Sequence, residues 1–174
     1  MRRLVLFRHA KSDRPEGVED HDRPLASRGK LAAGAMGEWM AEKGIIPDLV
    51  ICSTSVRTRQ TWALAKPAFE PEPETIYEER IYEARPDDLL DVIRETSSDV
   101  QTLMLVGHNP GMEILTGVLA ESGEPDVVDR FEKKFPTAAV AVLDFEDEPW
   151  AAIEEKTAWL TTFVTPKFLG IHEE

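Results

Sequence analysis

The chain has 174 residues, of which 42% are hydrophobic and 30% charged, so it has the composition of a soluble globular protein rather than a disordered one. Its net charge of −13 excludes an electrostatic attraction to nucleic acid or an anionic membrane, and no apolar stretch approaches the roughly 18 residues that span a bilayer. The single cysteine, Cys52, excludes an internal disulfide, and because the N-terminal apolar run is too short for a signal peptide, we expect a cytoplasmic protein with a packed thiol.

Short apolar runs alternate with helical patterns along the chain. The predicted strands cover residues 4–8, 48–52, 76–77, 102–106, 138–145 and 159–164. The predicted helices cover residues 27–43, 56–64, 86–95, 110–119 and 127–134, and the longest loops are 12–24 and 66–75. This order predicts an α/β fold with three layers (α/β/α) and a largely parallel central sheet. We find no repeat or linker, so residues 1–174 are expected to form one domain.

Three of these predicted strands end at residues that suit chemistry on an anion. Arg8 and His9 end the first strand, residues 53–61 with Arg57 follow the second, and His108 follows the run 102–106. Residues just past the carboxyl ends of such strands line the crevice where open α/β sheets bind ligands. If the three strands are neighbours, two arginines and two histidines meet in one crevice.

These residue types match a phosphoryl group. A guanidinium offers two fixed donors to phosphate oxygens, and a helix amino terminus adds free backbone N–H groups. An imidazole can attack phosphorus as a nucleophile. Residues 1–30 carry a net charge of +3 while the rest of the chain carries −16, so the surroundings of His9 suit a small anion.

Other interpretations of the histidines were weighed against this one. We assign His21 and His172 structural roles, each held by a backbone carbonyl. A metal site at His9 and His108 is disfavoured because Arg8 would repel the cation and no HExxH-like pair is present. Phosphate-loop, dinucleotide and α/β-hydrolase motifs are likewise missing from the sequence. We therefore predict phosphoryl chemistry with no metal and no other cofactor.

The sequence resembles the histidine phosphatase superfamily, which has the phosphoglycerate mutase-like fold, and in particular its small SixA-type phosphohistidine phosphatases. The resemblance rests on residues 6–12, 23–25, 28–29, 53–61 and 106–110, which occur in the family's order. It implies that His9 is the nucleophile and becomes transiently phosphorylated. It also implies that Arg8 and Arg57 clamp the phosphoryl oxygens and that His108 donates a hydrogen bond to them.

Residues around this set receive lesser roles. Lys11 and Ser12 lie near the expected pocket mouth and are candidates to contact substrate. Arg59 follows Arg57 by two positions, which places it on another face of the helix and predicts a surface or supporting role. Asp22 and Arg28 are assigned structural roles first.

The general acid is open at this stage. The resemblance points to Glu83, in the stretch Ile81-Tyr82-Glu83, while a solvated glutamate in an acidic loop is an equally good interpretation. An alkoxide leaving group needs a proton, whereas a phosphorylated imidazole can depart as neutral imidazole, whose conjugate acid has a pKa of about 6.5. A weak acid therefore favours phosphohistidine as the substrate.

Three functions follow as hypotheses. The first is a phosphatase that acts on phosphohistidine in a protein, in two steps, with water activated by Glu83 in the second. The second is a phosphatase of a small phosphate ester such as a sugar phosphate or a nucleotide. The third is a catalytically silent module that binds phosphate or phosphoprotein. Nucleic acid and membrane are not expected as partners, and the oligomeric state is left open.

Overall fold

The computed structural model describes residues 1–171, which form a seven-stranded sheet flanked by five helices. The strands are β1 (Arg2–Arg8), β2 (Leu49–Ser53), β3 (Glu74–Glu78), β4 (Thr102–Gly107), β5 (Ala120–Gly123), β6 (Val140–Phe145) and β7 (Ala158–Val164). The helices are α1 (Ser27–Glu42), α2 (Val56–Ala65), α3 (Pro86–Arg94), α4 (Gly111–Leu119) and α5 (Pro125–Lys133). No helix in this range is long and apolar enough to cross a membrane.

The strand order is β3-β2-β4-β1-β6-β7-β5. The first four are mutually parallel, β6 runs antiparallel to β1 and β7, and β5 pairs parallel with β7. The predicted largely parallel sheet is confirmed. β4 lies between β1 and β2, with Arg8 opposite Gly107, so the carboxyl ends of these three strands meet at one edge.

Two apolar cores lie on the two faces of the sheet, because the central strands are buried on both sides. On β1, Leu4 and Leu6 join the core under α3, α4 and α5. Val5 and Phe7 join the opposite core, which α1 and α2 cover. The three predicted layers are therefore present, and they leave the strand ends as the place for polar side chains.

The edges of the sheet differ from the prediction. The strand predicted at 76–77 extends over five residues as β3. β5 was not predicted, because its sequence Ala-Glu-Ser-Gly has no apolar alternation. It forms through close backbone packing: a Cβ on Gly123 would lie 2.6 Å from the Leu160 carbonyl oxygen. Only a glycine permits that approach.

The first turn of α1 packs directly on the backbone that follows β1. A Cβ on Gly29 would lie 2.0 Å from the Lys11 carbonyl oxygen, whereas one on Gly34 of the same helix would meet nothing nearer than 3.9 Å. We expect Gly29→Ala to cost about 3 kcal/mol of unfolding free energy, because backbone must move. Gly34→Ala should be neutral or stabilising by up to about 1 kcal/mol. Urea unfolding measures both, and equal effects would contradict the packing argument.

Candidate active site

The carboxyl ends of β1, β2 and β4 enclose a polar cavity of about 320 Å³. All seven residues that the sequence singles out as site residues line it. Five further residues join them. The complete lining is Arg8, His9, Lys11, Ser12, Arg14, Asp20, Arg23, Arg57, Glu83, His108, Asn109 and Thr137. The fold therefore brings the predicted set together in one pocket.

His9 is fixed by its backbone on both sides. Its N–H donates to the Gly107 carbonyl at 3.0 Å, and its carbonyl accepts from the Ala138 N–H at 2.9 Å. The ring Nδ1 lies 2.8 Å from the Ala10 carbonyl oxygen. Because a carbonyl can only accept, Nδ1 carries the proton and Nε2 carries the lone pair. His9 is therefore held in the tautomer that a nucleophile acting through Nε2 requires.

The same ring is kept uncharged. Burial lowers the pKa of His9 to about 3 and outweighs the Ala10 hydrogen bond, which favours protonation. The cationic groups of Arg57, Arg8 and Arg23 contribute to this lowering of the pKa. At neutral pH the Nε2 lone pair is thus available for attack.

His108 stands beside it, with the two ring centroids 5.3 Å apart. Its Nε2 lies 2.8 Å from the Ser53 hydroxyl oxygen at the end of β2. Burial, as the largest cause, together with the neighbouring His9 and Arg57 lowers the pKa of His108 to about 3. A neutral His108 has one N–H, and the Ser53 hydroxyl, which can donate or accept, pairs with Nε2 and orients the ring. Ser53 is a positioning residue that the sequence did not single out.

Arg57 enters the pocket from the first turn of α2 and is held by Asp20. Its two terminal nitrogens donate to the Asp20 backbone oxygen at 2.7 Å and to the carboxylate at 3.1 Å. Tyr82 donates its hydroxyl to the same carboxylate at 2.5 Å. Among the described residues the buried Arg57 Nε has no hydrogen-bond partner, and the two contacts with Asp20 fix the plane of the guanidinium in the pocket lining.

Arg23 is a third guanidinium in the pocket, and the sequence reasoning missed its place there. It is buried, donates to the Ser12 hydroxyl at 2.6 Å and pairs with Asp20 at 3.4 Å. The available signal was the stretch Arg23-Pro24-Leu25, which carries the family resemblance. From this region the sequence reasoning singles out Asp22 and Arg28 instead, with structural roles, and both are exposed.

Arg8 is oriented from the opposite wall. Its terminal Nη1 donates to the Phe135 carbonyl at 2.8 Å. The side-chain amide of Asn109 donates to the same carbonyl at 3.0 Å. The segment before β6 thereby fixes two residues that follow two different strands.

Two carboxylates line the pocket, in different surroundings. Asp20 accepts from Tyr82 and Arg57, and those contacts hold its pKa below the ordinary value despite some burial. It is therefore ionised at neutral pH and is a poor proton donor. Glu83 is exposed at the rim, on a backbone with φ 53°.

Arg59 lies on the outer surface, with its guanidinium 4.8 Å from the centre of the Tyr77 ring. It therefore does not line the pocket, as its position along α2 predicted. The expected carbonyl partner of His21 is wrong, since its Nε2 contacts the Thr54 hydroxyl at 3.0 Å. His172 lies outside the described residues.

Within residues 1–171 no cluster of three or more His, Cys, Asp or Glu side chains is arranged to hold a metal ion. Cys52 is fully buried, and burial raises the pKa of its thiol to about 12. The thiol is therefore unreactive, as expected for a packed cysteine.

The depressed histidine pKa values predict acid sensitivity of the fold. An unfolded histidine takes up a proton near pH 6.5, whereas His108 in the folded chain takes it up near pH 3. As pH falls between these values only the unfolded state gains the proton, so the free energy of unfolding falls. We expect His108→Gln to reduce the slope of the free energy of unfolding against pH by about 1.4 kcal/mol per pH unit in this range. Urea unfolding from pH 4 to 7 measures it, and an unchanged slope would refute the argument.

Comparison with known proteins places these features in context. Residues 4–89 match the family described as histidine phosphatase superfamily (branch 1). An uncharacterized protein of Mycobacterium tuberculosis is 41% identical over 92% of this chain and 100% of its own length.

Two solved structures are similar over almost the whole chain. One is the putative phosphohistidine phosphatase SixA from Agrobacterium tumefaciens, with 31% identity, a TM-score of 0.76, and coverage of 95% of this chain and 98% of that one. The other is the putative phosphohistidine phosphatase SixA from Nakamurella multipartitia, with 30% identity, a TM-score of 0.79, and coverage of 95% and 96%.

Proposed function

Because this chain belongs to the histidine phosphatase superfamily and is of SixA type, we propose that it dephosphorylates phosphohistidine on a protein, without a metal, through a phospho-His9 intermediate. Membership of the superfamily supports phosphatase activity. The observation that carries the specific proposal is the uncharged Nε2 of His9, held beside the guanidinium groups of Arg8, Arg23 and Arg57.

In the first step the lone pair of His9 Nε2 attacks phosphorus in line with the leaving group. A bond forms between Nε2 and phosphorus, and the bond from phosphorus to the substrate's ring nitrogen breaks. The transferring oxygens carry negative charge throughout. The guanidinium groups of Arg8, Arg23 and Arg57 and the ring of His108 line the pocket and are the groups available to hold that charge.

The leaving group decides between phosphohistidine and phosphate esters. Asp20 is ionised and His108 is neutral, so neither is poised to give a proton at neutral pH. An alkoxide would need that proton, whereas a phosphoimidazole already protonated on its other nitrogen departs as neutral imidazole. This pocket therefore favours a phosphorylated imidazole as substrate.

The second step depends on the proton that His9 carries on Nδ1. Phospho-His9 retains its Nδ1 proton, donated to Ala10, so it is itself a phosphoimidazolium. Water attacks phosphorus, the bond to Nε2 breaks, and neutral His9 is restored. Glu83, at the rim of the pocket, accepts the proton that the water loses.

A small phosphate ester is the second candidate, and the position of Glu83 is the observation that favours it. A carboxyl that lines the pocket can protonate an alkoxide leaving group if it is itself protonated when substrate binds. A silent binding module is the third candidate. It gives no account of why an uncharged nucleophile is held among three guanidinium groups.

The test compares three substrates at equal concentration: a histidine-phosphorylated protein, a panel of sugar and nucleotide phosphates, and 4-nitrophenyl phosphate. We expect the highest kcat/KM for the phosphohistidine protein. Glu83→Gln should reduce hydrolysis of the esters more than that of phosphohistidine. A higher kcat/KM for one metabolite would replace the proposal with the ester phosphatase.

Metal independence is tested in the same assay. We expect EDTA to leave turnover unchanged and added Mg²⁺ not to raise it, because the donors around the phosphoryl group are cationic side chains. Loss of activity with EDTA that Mg²⁺ restores would refute this part of the proposal. Binding of phosphate without any turnover would favour the silent module.

A further inference from the structure

A second basic feature lies outside the active pocket. A groove of about 410 Å³ runs between the end of α5 and the segment that follows β7. Four basic side chains line it: Arg130, Lys133, Lys134 and Lys167. We call it the basic groove. Within the described part of the chain its lining contains no carboxylate, although the protein as a whole carries a net charge of −13.

The basic groove and the active pocket share a wall. Pro136 lines the groove, and the next residue, Thr137, lines the pocket. Phe135, which precedes these two residues, is buried, and its carbonyl accepts from Arg8. A ligand that leaves the phosphate site over this wall therefore meets the groove at once.

Of the four basic side chains of the groove, one is held by contacts within the protein and three are exposed to solvent. Arg130 donates to the Phe163 carbonyl at 3.2 Å and stacks at 4.0 Å over the Phe168 ring, so it builds the wall. Lys133, Lys134 and Lys167 are exposed. Solvated lysines on flexible stems attract and orient an anionic partner more than they enclose a small ligand.

Charge and size together define the occupant. The active pocket, at about 320 Å³, has room for a phosphoryl group and the tip of its carrier, so a small ester bound there does not reach the groove. A protein does. The net charge of −13 repels an acidic protein over most of the surface, so a local positive groove beside the pocket selects the docking orientation. The acidic surroundings disfavour the longer phosphate array of a nucleic acid.

We propose that the basic groove docks an acidic segment of the phosphoprotein substrate, next to the phosphohistidine that enters the active pocket. This rests on the proposed function, since it assumes a protein substrate. It adds the chemistry of the partner: carboxylates on the chain that flanks the phosphorylated residue.

The first arm of the test measures binding and needs no catalysis. A fluorescein-labelled peptide with one histidine among glutamates is titrated with the protein at low ionic strength, and its anisotropy gives Kd. The double variant Lys133→Glu/Lys167→Glu reverses two charges of the basic groove. Lys134 is left unchanged, because it lies next to the wall that the groove shares with the active pocket. We expect Kd to rise at least about tenfold, and 0.5 M salt to remove most of the difference.

A matched control carries the same total charge. Lys43→Glu/Lys66→Glu changes two basic residues at the ends of α1 and α2 that lie away from the pocket. Its Kd for the glutamate peptide should stay within about twofold of wild type. In the second arm, kcat/KM for the phosphorylated glutamate peptide should fall at least about tenfold in the groove variant only. Hydrolysis of 4-nitrophenyl phosphate should be unchanged in both variants.

The outcomes separate the two proposals. Equal Kd values for the groove and control variants would overturn the docking surface and leave the phosphatase proposal standing. Loss of 4-nitrophenyl phosphate hydrolysis in the groove variant would also overturn it, because the lysines would then act through the active pocket. Tighter binding of an oligothymidine than of the peptide, lost in the groove variant, would assign the groove to nucleic acid instead. Peptide binding without dephosphorylation would refute the phosphohistidine function.

Discussion

His9→Ala is expected to lower the release of phosphate from 4-nitrophenyl phosphate by at least about 10⁴-fold, because it removes the ring nitrogen proposed to accept the phosphoryl group. The geometry behind this expectation is specific. The Ala10 carbonyl holds the proton on Nδ1, and burial keeps Nε2 free of a second proton. His108, the other histidine among the described residues of the pocket lining, does not combine these two properties, since its Nε2 is engaged with Ser53.

Rapid quench of the wild-type protein with substrate should trap one phosphate per chain in an acid-labile, alkali-stable form, and the variant should trap none. Circular dichroism and urea unfolding check that the variant is folded. His21→Ala serves as the matched control, because His21 contacts Thr54 and lies outside the pocket lining. Its turnover should stay within about fivefold of wild type. Full turnover by His9→Ala would sink the covalent mechanism.

Arg57→Ala is expected to reduce kcat/KM by about 10³-fold, since a guanidinium aimed at the transferring group stabilises charge that is largest in the transition state. Arg57 is buried, lines the pocket and is anchored through both terminal nitrogens to Asp20. Arg57→Lys should recover little of the loss, because an ammonium cannot hold Asp20 and a phosphoryl oxygen in the same fixed plane.

Arg59→Ala is the control that the chain itself provides. It removes a guanidinium two residues further along α2, where the side chain lies over Tyr77 on the outer surface. It changes the net charge by the same amount and should alter kcat/KM by less than about threefold. Comparable losses in the two variants would mean that overall charge, rather than a placed donor, governs catalysis.

The central strands and the residues at their ends could be predicted from the sequence alone. Runs of four apolar residues specify β1 and β4 because such strands are buried on both faces, and the polar residues that follow are then forced to the sheet edge. His9 and His108 could therefore be found from the sequence. β5 could not, since its four residues carry no apolar alternation and pair with β7 through a glycine contact.

Only the tertiary structure decided the protonation and the positions of these residues. Which nitrogen of His9 holds the proton depends on the Ala10 carbonyl, and its uncharged state depends on burial by distant elements. Asp20 and Arg23 reach the pocket from a loop whose sequence shows no periodic pattern, so their place follows from loop closure over the sheet edge. Local side-chain pattern thus determines the strands and the identity of the site. Desolvation and contacts between residues far apart in the chain determine its protonation and its shape.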